Sequence, residues 1–310
     1  MPDQFRIITD ASNTSDGSPR TWINRSAAND NPNAIISVTH VINPPRGVGR
    51  PLLPDRYHNH PVGVEYRGRN WYIVNLDGAP MPRGLAFNVH IVDAPTPIAY
   101  SHRVTARNTI GNSSWFSPES QDWLWFLTPR RGRTRGRAAP FVELAQPEWP
   151  GDFGLETIGA IEHDILEIVP NPLAVGVWFA AGPNPWWRIF NASYVDALAE
   201  DTEYNVFAFP PENADPYNAM CVVTDGTVPS TAFTLGADRG AVIDDFVFVS
   251  LNISFNRAPP ERVQGRPTQR AVFHNHVVGL YRDVEMQKLR IVNEDESEMP
   301  AGVGFNVRLE

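Results

Sequence analysis

Short apolar runs alternate with polar stretches rich in proline and glycine along the whole chain. In the first part the runs are Phe5 to Thr9, Thr21 to Ile23, Ala34 to Ile42, Val62 to Tyr66, Trp71 to Asn75 and Leu85 to Val92. Each has the length of a strand, and the segments between carry turn residues. Val62, Val64 and Tyr66 alternate with Gly63 and Glu65, so the two sets face opposite ways on a strand. Arg67-Gly68-Arg69-Asn70 reads as a hairpin turn between two strands. The pattern predicts five to seven strands in this part. Few stretches have a helical period; the best is Glu156 to Ile168, with Ile158, Ile161, Ile165 and Ile168 at three- and four-residue steps.

The same pattern returns twice. His60-Pro61-Val62-Gly63-Val64-Glu65-Tyr66, Trp71 to Asp77 and Met81 to Val89 correspond to His276-Val277-Val278-Gly279-Leu280-Tyr281, Leu289 to Asp295 and Met299 to Val307. A more diverged copy lies between them: Leu173 to Phe179, Trp187 to Asn191 and Tyr204 to Val206. The asparagine pairs 75 and 88, 191 and 205, and 293 and 306 are spaced by 13, 14 and 13 residues. The preceding glycines, 63, 176 and 279, stand 12, 15 and 14 residues before the first asparagine, which places the length variation in one turn. A glycine repeated at one strand position implies a bulge or a close backbone approach. The repeated Met-Pro-x-Gly implies a tight turn into the last strand. Asn88, Asn205 and Asn306 are expected to satisfy backbone groups of neighbouring segments.

Weaker matches extend the copies forward. Thr9 to Thr14 resembles Thr105 to Thr109, and Ala34 to Thr39 is matched to Trp123 to Thr128 and to Phe246 to Leu251. The expected fold class is all-β: three tandem β-sandwich or jelly-roll-like repeats over 1–94, 98–210 and 217–310, with an insertion near 133–169 in the middle one. Beads in a row and a pseudo-threefold arrangement both fit this reading.

The string His-Pro-Val-Gly-Val-x-Tyr, Trp-x-Ile-x-Asn-x-Asp, Met-Pro-x-Gly-x-Ala-Phe-Asn-Val resembles an uncharacterised bacterial tandem-repeat family, whose members carry tryptophan where this chain has Glu65. The resemblance covers most of copies one and three. It implies repetition and an extracellular or surface setting, and it carries over no catalytic residues. Copy two departs from it, lacking the His-Pro pair and the Met-Pro-x-Gly turn.

Composition narrows the partners. The net charge of −9 makes nucleic acid an unlikely partner, because phosphate repels an acidic body at long range. No run of apolar residues is long enough for a membrane-spanning helix, and no signal-peptide pattern opens the chain. The single cysteine, Cys221, sits in an apolar run and reads as a buried small hydrophobe.

Three constellations are candidates for chemistry. His58-Asn59-His60 and His274-Asn275-His276 place imidazoles two apart, which on a strand share one face and can supply two ligands to Zn²⁺ or Cu²⁺; capping of loop carbonyls is the structural alternative. Arg130, Arg131, Arg133, Arg135 and Arg137 form a basic run that suits a polyanion or an acidic neighbour, with Glu294-Asp295-Glu296 and Glu298, or Asp244-Asp245, as an acidic counterpart. Trp149, Trp186 and Trp187 stand beside prolines and are expected to be exposed, where an indole can stack on a sugar. No nucleophile elbow, phosphate loop, zinc-protease or dinucleotide pattern is present, so neither an enzyme nor a cofactor is expected. The expectation is a non-enzymatic repeat protein that binds or self-assembles at a surface, as a fibre or oligomer subunit; the alternative is a lectin-like glycan-binding protein.

Overall fold

The structure, a computed structural model, describes residues 3–42, 56–105, 108–110, 112–117, 123–134, 166–168, 170–180, 186–193, 195–210, 219–224, 230–233, 246–252, 263–264, 272–283 and 288–309. Among these it is all-β, with no helix. Correspondingly, no helix is long and apolar enough to cross a membrane. Residues 156–165 of the stretch with a helical period lie outside the described residues, and Leu166–Ile168 is a strand.

Unit one supplies β1 (Asp3–Ile8), β2 (Arg20–Ile23), β3 (Ile35–Ile42), β4 (Val62–Arg67), β5 (Asn70–Asn75) and β6 (Ala86–Val92). Unit two supplies β7 (Ala99–Arg103), β8 (Thr109–Ile110), β9 (Ser113–Ser117), β10 (Leu124–Thr134), β11 (Leu166–Ile168), β12 (Val175–Ala180), β13 (Trp186–Asn191) and β14 (Glu203–Phe209). Unit three supplies β15 (Ala219–Val223), β16 (Ser230–Phe233), β17 (Val247–Asn252), β18 (Val263–Gln264), β19 (Val278–Asp283), β20 (Lys288–Asn293) and β21 (Gly304–Leu309).

Each unit is a sandwich of two half-sheets, and each whole sheet is shared between two units. The orders are β1-β6-β3-β19-β20-β16, β2-β5-β4-β10-β14-β7 and β18-β15-β21-β17-β12-β13-β9-β8. Pairing inside a unit is antiparallel except for the short parallel pair of β15 with β18, and the units join by parallel pairs: β3 with β19, β10 with β4, and β17 with β12. Unit one therefore touches unit two, unit two touches unit three, and unit three returns to unit one. The seams share one register: Val64 opposes Arg130, Val177 opposes Asn252 and Leu280 opposes Val41. These are equivalent positions, since Thr39, Thr128 and Ser250 face Asn88, Asn205 and Asn306, and Val62, Val175 and Val278 face Asn75, Asn191 and Asn293.

The third front-half match needs correcting by one residue. Ser250, not Leu251, is the counterpart of Thr39 and Thr128. Phe246 to Leu251 is apolar at nearly every position, so period two cannot fix its register, although a slip of one exchanges the two faces.

The repeated residues do equivalent work. A Cβ on Gly63 would lie 2.5 Å from the Pro129 carbonyl oxygen, one on Gly176 would lie 2.9 Å from Phe190 Cζ and 3.0 Å from Leu251 Cβ, and one on Gly279 would run into Glu294 Oε1 with His40 behind it. His40, Pro129 and Leu251 are themselves equivalent, so each glycine admits the same residue of the adjoining unit. Asn88 Nδ2 donates to Val247 O, Asn205 Nδ2 to Ile36 O and Asn306 Nδ2 to Trp125 O, at 3.0, 2.9 and 3.0 Å. Each crosses to another unit, in cyclic order. Gly84 and Gly302 in the Met-Pro-x-Gly turns have φ +87° and +86°. Asp201, with φ +64°, takes that left-handed place in unit two; Asp is one of the few side chains that tolerates it.

Apolar clusters fill each sandwich. A further one, with Ile35, Leu124, Phe126, Phe207 and Phe248, lies where the units meet. The residues two beyond the cross-unit asparagines, His90, Phe207 and Arg308, converge there. His90 and Phe207 rings are 5.2 Å apart, Arg308 Cζ is 5.9 Å from the Phe207 ring, and Arg308 Nη2 donates to His90 Nδ1. Three equivalent residues from three units touching one another locate a pseudo-threefold axis.

Candidate functional site

The central strands β3, β10 and β17 and the three segments entering β4, β12 and β19 line an open pocket of about 130 Å³. Its wall repeats by threes. Val38, Leu127 and Val249 line it, as do His40, Pro129 and Leu251, then Pro61, Ala174 and Val277, and Val62, Val175 and Val278. Thr39, Ser250, His58, His274 and His276 add polar atoms, and among the described residues no Arg, Lys, Asp or Glu lines it. A pocket made from equivalent positions of three units exists only because the units close on one another.

The histidines of the wall are fixed by partners. His58 Nε2 donates to Asn75 Oδ1 at 2.7 Å, and Asn75 Nδ2 donates to Ala79 O and Pro80 O. His274 repeats this with Asn293 at 2.6 Å; in unit two Asn171 Nδ2 donates to Asn191 Oδ1 at 2.8 Å. Burial pushes the His58 pKa down to about 4, against the opposing pull of the Asn75 hydrogen bond. Burial lowers that of His274 as well. Both rings are therefore neutral near pH 7.

One seam differs from the other two. The position after the first asparagine is Leu76 in unit one and Ala192 in unit two but Glu294 in unit three. The Glu294 carboxylate is buried; Oε1 lies 2.5 Å from His40 Nδ1 and Oε2 accepts the His58 N–H at 2.9 Å. His40 is 6% exposed, and its Nε2 is buried with no hydrogen-bond partner among the described residues.

Residues 1–91 match the family model described as a domain of unknown function (DUF7452). The DUF7452 match spans unit one, with β1 to β5 and nearly all of β6, and so holds His40, His58 and Thr39 of the pocket. No curated protein and no solved structure matches the chain.

The structure redistributes the other expected site residues. Trp186 and Trp187 are buried in β13, not exposed beside a turn; the strand begins at Trp186, and the Trp187 ring packs in the core against Phe179 and Trp125. Arg130 is not on a basic loop either. It is buried on β10, ion-paired with Glu203, bonded to Ser101 Oγ and set 5.0 Å from the Trp71 ring. Arg131 is half-buried and donates to Asn75 O at 3.4 Å, and Arg133 opposes Glu167 in the β10–β11 pair. Arg135, Arg137 and Trp149 lie outside the described residues.

His58 and His60 are not on a strand, nor are His274 and His276. One of each pair turns inward, and the other stays partly exposed, hydrogen-bonded to a carboxylate: His60 with Asp77 at 2.6 Å, His276 with Asp295 at 2.7 Å. Asp295 is held down to about 2, burial opposing and the Ser297 and His276 hydrogen bonds prevailing. Among the described residues no group of His, Cys, Asp and Glu is arranged to hold a metal ion. Cys221 is buried, and burial pushes its thiol pKa up. Sequence reasoning missed His40 and treated Glu294 as a surface acid. The available signal was a charged residue at a repeat position that is apolar in the other two copies.

Proposed function

We propose that the chain is a non-enzymatic binding protein, a trimer-like body in one polypeptide, whose site is the pocket at the meeting of its units. The supporting observation is the threefold lining of that pocket, apolar for the most part with a few convergent polar atoms, which is the usual make-up of a small-molecule site. Two of its imidazoles are locked by asparagine partners and form wall. Head-to-tail assembly has less support, because the inner edges of β3, β4, β10, β12, β17 and β19 are already paired within the chain and Arg130 is occupied by Glu203. The test is a thermal-shift screen of small neutral organic molecules on the purified protein, with Ala174→Trp as a filled-pocket control. A ligand held at a hundred times its Kd adds about 2.7 kcal/mol of stability. Hits that stabilise the natural protein and not Ala174→Trp support the reading. Hits that stabilise both equally, or a screen without hits, contradict it.

A second reading, glycan binding, is favoured by one observation. Tyr57 and Phe273 occupy equivalent positions, are each 37% exposed, and each precede by three residues the histidine of an exposed His–Asp pair. An exposed ring beside polar acceptors suits a sugar, and these two replace the tryptophans in that role. A glycan array on the natural protein and on Tyr57→Ala with Phe273→Ala tests it; a blank array, or binding unchanged by the substitutions, removes it.

A further inference from the structure

We propose that the seam between units one and three is an acid-released clasp: a proton taken up by His90 sets its ring against the Arg308 guanidinium, and the body opens there while the units stay folded.

Three observations single out this seam. Residues 93–98 join unit one to unit two, and residues 210–218 join unit two to unit three. The seam of unit three on unit one is therefore the one held by non-covalent contacts alone. It also carries the buried His40–Glu294 pair, where the equivalent positions at the other seams are Pro129 with Leu76 and Leu251 with Ala192. Two polar groups are costly to desolvate, and an apolar pair of similar volume is often as stable or more so. Third, His90 of β6 and Arg308 of β21 meet across it, beside the pseudo-threefold axis.

The chemistry of that contact sets its response to acid. A guanidinium has donors and no acceptor, so His90 Nδ1 receives the Arg308 hydrogen bond on its lone pair. A protonated imidazole carries N–H on both nitrogens, so protonation ends the bond and leaves two cations in contact. Burial pushes the Arg308 pKa down to about 9, which still leaves the guanidinium charged at neutral and acid pH. The Phe126, Phe207, Phe209 and Phe248 rings surround it. The other elements packed on His90 present Gln4 from β1, Ser37 from β3, and the Phe207 and Phe248 rings at 5.2 and 6.0 Å.

Burial first, and Arg308 second, hold the His90 pKa down to about 3 in the closed body. Opening takes away Arg308 and Phe248, both of unit three, and returns the ring toward its ordinary value near 6.5. The open form then binds the proton more tightly. Below about pH 6.5 acid favours it by about tenfold per pH unit, or two to three powers of ten at pH 4. The pocket has walls on both sides of this seam, with His40 and Val62 from unit one and His274 and Val278 from unit three. Opening dismantles it, so a ligand held at neutral pH is released in acid. That consequence rests on the binding role proposed for the pocket; the opening itself does not.

The test is small-angle X-ray scattering of the ligand-free full chain at pH 7 and pH 4, extrapolated to zero concentration, with far-ultraviolet circular dichroism on the same samples. It is repeated on His90→Phe, which copies Phe207 of unit two, and on His90→Leu; if one variant is unfolded at pH 7, the other decides. The natural protein is expected to grow from a radius of gyration of about 20 Å at pH 7 toward the roughly 30 Å of units in a row at pH 4, with its β signal kept. The variants are expected to stay compact at pH 4. A natural protein still compact at pH 4, or variants that expand as it does, overturns the clasp. So does loss of the β signal together with the expansion, the response expected if the titrating group were His102, which is buried inside unit two on Ser114 Oγ.

Discussion

At the scale of single residues, the account turns on positions where one side chain fits and its neighbour in the next unit requires it. Gly63 is such a position. Its missing Cβ leaves room for the Pro129 carbonyl, a backbone atom that cannot rotate away. Gly63→Ala is expected to cost about 1–3 kcal/mol, read as a lower urea midpoint with an unchanged slope. The buried histidines make a second prediction. Burial depresses the folded pKa of His58 to about 4 and of His90 and His102 to about 3, below the unfolded value near 6.5. Between those limits the unfolded chain binds the protons and the native chain does not, so stability rises with pH. On acidification it falls from about pH 6.5 downward, by about 1.4 kcal/mol per pH unit for each histidine that stays neutral in the native state. Urea titrations at pH 7, 6 and 5 check this; a flat profile down to pH 5 would contradict the burial of these rings. The glycines and asparagines were legible in the sequence because their spacing repeats. Glu294 was not, since its burial depends on His40, 254 residues away and in another unit.

At the scale of elements, six strands of the first unit fall within a residue or two of the apolar runs that announce them. The turn between the paired central strands also obeys the spacing. In unit one it holds residues 68–69, and the paired strands of units two and three end three and two residues further apart in sequence, which accounts for glycine-to-asparagine steps of 12, 15 and 14. Gly68 and Arg69 both have positive φ, +56° and +75°, as a two-residue hairpin of right-handed twist requires. The cross-unit pairing was not legible. Nothing local in β3 or β19 says that a strand near residue 40 meets one near residue 280, since each reads as an ordinary half-buried strand. The asparagines that cross at these junctions give the corresponding prediction. Asn306→Leu removes the donor to the Trp125 carbonyl and leaves that buried acceptor unmet. The expected loss is about 1–3 kcal/mol in equilibrium unfolding, with the equivalent Asn205→Leu, which strands Ile36 O, costing a similar amount. Full stability in both variants would show that these bonds do not hold the units together.

At the scale of the whole molecule, three parallel seams of one register turn a tandem repeat into a closed body, and the pocket, the convergence of His90, Phe207 and Arg308, and the odd His40–Glu294 seam all follow from that closure. Divergence between copies falls on buried positions as well: Val41, Arg130 and Asn252 are equivalent, as are His90, Phe207 and Arg308 and Leu76, Ala192 and Glu294. Repetition was plain in the sequence, but beads and ring have the same spacing and composition, so only the pairing between units one and three separates them. Small-angle X-ray scattering of the purified chain measures that difference directly. A single compact body of this length has a radius of gyration of about 20 Å, whereas three units touching in a straight row give roughly 30 Å. The closed arrangement predicts the smaller value, unchanged with concentration; the larger one would contradict it.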